Sequence, residues 1–231
     1  MSSPPAAPAP VAFCPCPPLL LPEVAGRAAA DTAGLRAACA AAVEALLAGR
    51  PDAVVLVGPG ADGRYGPGDG GDLRGFGVDL DVPLDGARRP EGRRLPLSLT
   101  VGAWLLDRAG YAGARIGTPP EDLAAVVAEL PGRTGLLVMG DGSARRSEKA
   151  PGHLDPAAAP FDAAVAAALA AGDAAALAAL DPAEGERLLA AGVPAWRAAG
   201  ALLAGRDVDA ALLFDGAPFG VGYLVASWTA R

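Results

Sequence analysis

The segment Ala53-Val54-Val55-Leu56-Val57 is apolar at every position and rich in β-branched side chains. A run of that kind suits a strand covered on both faces, as in a parallel sheet packed between helices. Gly135 to Met139 has the same character, and Val11 to Cys16 is a shorter version stopped by Pro15, Pro17 and Pro18. Between these runs the apolar period changes to helical. Leu35, Cys39, Val43 and Leu46 form one stripe, with Asp31 or Thr32 placed to cap it and Gly49 and Pro51 to end it. Leu97, Val101, Trp104 and Leu105 form a second, ended by Gly110. Leu123, Val126, Val127 and Leu130 form a third behind Pro119 and Pro120.

Ala114 to Gly117 reads as a further strand, and Val78 to Leu84, alternating apolar and acidic, as an edge strand. From Phe161 to about Leu203 the pattern is helical, with breaks at Gly172–Asp173, Asp181–Pro182 and Gly192–Pro194. Ala210 to Phe214 and Val221 to Trp228, joined by Asp215-Gly216-Ala217-Pro218, read as a closing strand pair. The expected fold is α/β: a mostly parallel central sheet with helices on both faces and a C-terminal strand pair. One domain over 11–231 is expected to follow a disordered Ser/Pro/Ala lead over 1–10.

Composition narrows the function classes. A net charge of -7 argues against nucleic acid and against an anionic membrane surface. No segment reaches the roughly 18 apolar residues that span a bilayer. Three cysteines without framework spacing suggest free thiols in a reducing compartment, so a cytoplasmic location is expected. A single histidine, His153, makes a histidine-held metal site implausible. The apolar terminal strands and the alanine-rich helical face could support a homo-oligomer, or could equally be core.

In sheets of this type ligands sit beyond the carboxyl ends of the strands, here Cys14–Cys16, Gly58–Gly60 and Gly140–Ser143. Gly58-Pro59-Gly60-Ala61-Asp62-Gly63 matches a dinucleotide fingerprint in letters, with Asp79 and Asp81 downstream. The Arg64-Tyr65-Gly66-Pro67-Gly68 that follows cannot readily form the helix on which that motif depends. Cys14, Cys16, Cys39 and His153 could supply soft ligands but lack zinc-site spacing. Cys16 as a nucleophile would need His153 brought to it by folding. Arg145, Arg146 and Lys149 form a locally basic loop. It reads either as an anion-binding site or as a solvated surface loop with local ion pairs.

Several stretches together resemble the class III extradiol ring-cleavage dioxygenases, catalytic B-subunit type. Pro15-Cys16-Pro17-Pro18, with its aliphatic run into Pro22-Glu23-Val24, is similar to that family's Pro-His-Pro-Pro motif. Val55 to Gly60 is similar to an apolar strand ending in Ser-Pro-His. Gly71-Asp72 to Phe76-Gly77 matches a following Gly-Asp-x-x-x-Phe-Gly element, and Gly140-Asp141-Gly142-Ser143 resembles Gly-Asp-x-Ser-His. His153-Leu154-Asp155-Pro156, Phe161-Asp162 and Pro218-Phe219-Gly220-Val221-Gly222-Tyr223 follow in the family's order.

The resemblance implies an Fe(II) enzyme with two histidines and a carboxylate as ligands. At the corresponding positions this chain carries Cys16, Gly60 and Ala190, and Ala144 stands where the acid/base histidine is expected. Asp141 and Ser143 match as supporting residues. The expectation is therefore a dioxygenase-like protein without the iron chemistry, using no cofactor. It would be a binding or structural module whose inherited pocket (Cys16, Gly60, Asp141, Ser143, Ala144, Ala190) takes a small anionic or aromatic molecule. The alternatives are a dioxygenase-like oxidoreductase with an unconventional metal site, and an enzyme of different chemistry using Cys16.

Overall fold

A computed structural model describes residues 10–230. The lead expected over 1–10 lies outside the described residues up to residue 9. Pro10 itself is buried, and its carbonyl accepts from Leu136 N–H at 3.1 Å.

In chain order the first half comprises β1 (Val11–Cys14), a short α1 (Pro22–Ala25), α2 (Ala33–Ala48), β2 (Ala53–Val57), β3 (Gly70–Asp72), β4 (Asp81–Pro83) and α3 (Leu97–Arg108). There follow β5 (Ala114–Thr118), α4 (Leu123–Glu129), β6 (Thr134–Met139), α5 (Ala158–Ala171), α6 (Ala174–Ala178), α7 (Pro182–Arg187), α8 (Val193–Leu203), β7 (Val208–Gly216) and β8 (Tyr223–Ala230). The main sheet has six strands in the order β5-β2-β6-β1-β8-β7. The first four are mutually parallel, whereas β8 runs antiparallel to β1 and β7 antiparallel to β8.

The order follows from the direction of each crossover. The chain moves from β1 past one position to β2 and on to β5, with α2 and α3 on one face. It then reverses, and β6 fills the gap between β2 and β1. A right-handed connection in the opposite direction must use the opposite face, so α4 packs there with α5, α6 and α8. The reversal opens a crevice between the carboxyl ends of the strands beside β6.

Two cores sandwich the sheet, which is why β1, β2 and β6 are buried at every position. Leu35, Cys39, Val43 and Leu46 of α2 fill one side. Phe13 and Trp228 meet edge to face at 4.9 Å on the other, and the Trp228 indole N–H donates to Leu169 O at 2.8 Å. Burial of each such side chain is worth about 1.5–3 kcal/mol. The helical breaks fall where Gly172, Asp173, Asp181 and Pro182 lie, and the carboxylates of Asp173 and Asp181 accept from N–H groups of α6 and α7.

Two local expectations are corrected, and the glycine-rich segment doubted as a nucleotide motif forms no helix. The strand expected over Val78–Leu84 shortens to Asp81–Pro83, paired only with β3 in a separate two-stranded sheet. Thr32 does precede α2, but its hydroxyl donates to Leu19 and Ala29 carbonyls and caps nothing. The dinucleotide fingerprint is not built: Gly58 to Asp69 is loop, and Asp79 and Asp81 are ion-paired to Arg74.

Candidate functional site

The carboxyl ends of β1 and β6 are tied together by side chains and by main chain. Past β1, the Cys16 N–H donates to Asp141 Oδ1 at 2.7 Å, and past β6, the Gly192 N–H donates to Asp141 O at 2.8 Å. Ser143 Oγ donates to Leu188 O at 2.7 Å, and Ala144 N–H donates to the same carbonyl at 3.2 Å. Gly140 must lack a side chain because a Cβ there would lie 2.3 Å from Gly192 Cα. These contacts seat the α7–α8 loop, which carries Ala190, directly over the strand ends.

Cys16, Asp141, Ser143, Ala144 and Ala190 thus share one corner. Gly60 stands apart: its neighbour Pro59 lines the same cavity as Ala190, but Gly60 itself lines a separate groove with Tyr65, Asp72, Phe76 and Arg94. Asp141 and Ser143 hold the frame through the hydrogen bonds to Cys16 and Leu188. Continuing the β1–β8 register from Phe13↔Ala226 sets Cys16 opposite Tyr223, a residue the sequence reading left without a role.

Burial at this corner favours the protonated forms of its titratable groups. Burial pushes the Asp141 carboxyl up to about 6, although hydrogen bonds from Cys16 oppose the shift. Cys16 is 6% exposed, and burial, then the adjacent Asp141, push its thiol well above the usual value. The Tyr223 phenol is raised by the same burial and neighbours. Cys14 and Cys39 are also free and buried, with hydrogen bonding between their thiols raising Cys39.

These residues do not fit Fe(II). Gly60 and Ala190 offer no donor side chain, which leaves Cys16 as a single thiol among the three ligand positions. Among the described residues no cluster of three or more His, Cys, Asp or Glu side chains could hold an ion. The mismatch at Gly60 reaches the backbone. Its φ is +82°, a conformation that L side chains rarely adopt, and a Cβ there would lie 3.2 Å from Pro96 Cβ. His153, also at positive φ, is an exposed loop residue, and its neighbour Gly152 donates to Ala144 O at 2.9 Å.

Of the two readings of the basic loop, the structure gives Arg146 an internal ion pair. Its guanidinium donates to Asp162 Oδ2 at 2.7 Å, while Asp162, 0% exposed, also accepts from Ser143 N–H. A carboxylate buried so deeply requires a cation, and Arg146 fills that requirement. Arg145 keeps its Nε buried without a partner among the described residues, and Lys149 is exposed. None of the three lines the cavity at the strand ends.

That cavity, about 580 Å3, lies between Pro59, past β2, and the α7–α8 hairpin. Ala190, Val193 and Pro194 form apolar wall, and Glu186 and Arg197 are its only charged side chains. Leu189 also borders it, 45% exposed and in a left-handed conformation at φ 55°. No sequence motif marked Glu186, Leu189 or Arg197.

The six-strand α/β architecture defines a fold class, and the comparisons with known proteins agree with it. No protein-family model matches the chain, and no curated protein is similar to it. Among solved structures the chain is similar to the uncharacterized protein JW3007 from Escherichia coli K12. The two share 14% identity over 96% of this chain and 100% of that one, with a TM-score of 0.53. At that identity the likeness speaks for the fold alone. Among the described residues no helix is long and apolar enough to cross a membrane.

Proposed function

We propose that this chain is a relative of the class III extradiol dioxygenases that has given up ring cleavage and binds a small, largely apolar molecule. The observation that carries the reading is the cavity of about 580 Å3 bordered by Pro59 and Ala190, at the carboxyl ends of the sheet. Its size is within the range of about 300–1,000 Å3 typical of small-molecule sites. Cys16, Gly60, Ala144 and Ala190 stand where the resemblance expects reactive groups, and they supply one protonated thiol between them.

The same thiol argues against an enzyme that uses Cys16 as nucleophile. A thiolate is the attacking species, and burial beside a carboxyl group works against forming it.

The test has two arms. Protein purified without chelator is loaded anaerobically with Fe(II), then assayed for bound metal and for oxygen uptake with catechol. The expected result is neither near-stoichiometric iron nor uptake; finding both would overturn the reading. In parallel the neutral fluorophore prodan is titrated into wild-type protein and Ala190→Leu. Saturable binding weakened about tenfold by the extra methyl groups is expected. Binding unchanged in a folded variant would place the occupant elsewhere and defeat the proposal.

A further inference from the structure

We infer that the cavity takes an aliphatic monocarboxylate, with its hydrocarbon chain against Pro59, Ala190, Val193 and Pro194 and its carboxylate on Arg197. This inference rests on the small-molecule reading above and specifies its ligand. Arg197 is half-buried and takes part in no ion pair among the described residues; the contact its guanidinium makes is from Nη1 to Leu180 O. Nε and Nη2 remain for a planar oxyanion, the geometry that guanidinium forks suit best.

The walls decide the rest of the ligand. They offer no aromatic face, and apart from Glu186 and Arg197 no side chain that could hydrogen-bond a hydroxyl. A hydroxylated ring buried there would leave its polar groups unpaired, at a cost that an alkyl chain avoids. Glu186 does not reverse the sign. It is exposed, so water and salt screen it more than the half-buried guanidinium.

The experiment is displacement of prodan from the full-length chain by octanoate, octanol and octylamine. Octanoate is expected to displace at about tenfold lower concentration than octanol, as suits one charge-assisted pair, and octylamine less well than either. Added salt narrows the octanoate advantage. Arg197→Met abolishes it while leaving octanol unchanged, and Arg197→Lys keeps part of it.

Octanoate and octanol displacing equally from wild type would overturn the carboxylate assignment and leave the cavity reading intact. Octylamine displacing best would overturn it in favour of Glu186. Prodan failing to bind at all would remove the cavity reading and this inference together. The wild-type comparison decides the matter even if loss of the Leu180 contact unfolds a variant.

Discussion

The Cys16 N–H donates to Asp141 Oδ1 at 2.7 Å, joining the exit of β1 to the exit of β6 across 125 positions of sequence. The carboxyl group that accepts this bond is itself pushed up to about 6 by burial. One residue therefore holds the turn and resists ionisation there, and the two effects are separable.

Asp141→Asn keeps the acceptor and removes the titration. Because the folded-state value is raised above the ordinary 3.8, its contribution to stability is full below about pH 4 and is lost as pH rises through about 6. Wild type should lose about 2–3 kcal/mol relative to Asp141→Asn between pH 4 and 7, read from urea unfolding at each pH. Parallel curves would mean that the carboxyl group is solvated. Asp141→Ala should cost about 1–3 kcal/mol at low pH, because the Cys16 N–H then loses its partner.

Arg146→Met should destabilise the fold by about 3 kcal/mol or more, since it strands the fully buried Asp162 carboxyl group. Changing Asp162 to Asn in the same background should recover part of that loss. Equal stability of wild type and Arg146→Met would show that the guanidinium is a surface ornament.

All three cysteines should resist Ellman's reagent in the native protein and react together only on unfolding, because each is buried and Cys16 and Cys39 are raised. Fast modification of one thiol under native conditions would reinstate Cys16 as a candidate nucleophile.

Leu189 holds an uncommon backbone conformation and an exposed side chain at the rim of the cavity. Asparagine tolerates that conformation better, so Leu189→Asn should be neutral or stabilising by up to about 1 kcal/mol while prodan binding weakens. Loss of stability in thermal melts would mean that the leucine packs inward.

The strand exits were legible because continuous apolar runs ended by Pro or Gly have few other readings, and Gly172, Asp173, Asp181 and Pro182 mark the helical breaks. Val78–Leu84 misled because alternation reports one buried face and not which sheet the strand joins. The corner at Cys16 and Asp141 was legible in position only. Its partners lie far off in sequence: Gly192 meets Asp141 through backbone atoms, and Tyr223 arrives on an antiparallel strand. The partner of Arg146 was not legible because Asp162 sits 16 residues on, buried within an alanine-rich helix.

The segments over the strand ends are stitched mainly by main-chain groups: the N–H of Gly192 donates to Asp141 O, that of Ala144 to Leu188 O, that of Gly222 to Ser143 O, and that of Gly142 to Gly222 O. Bonds of that kind are blind to the side chain above them. On the α7–α8 loop, Ala190 lines the cavity while itself packed in the core, so a larger side chain there alters the cavity wall and the packing behind it together. Position 60 is constrained by its main chain instead: its left-handed backbone admits glycine readily and little else. A side chain placed at that position would therefore have to bend the exit of β2 before it could project from it.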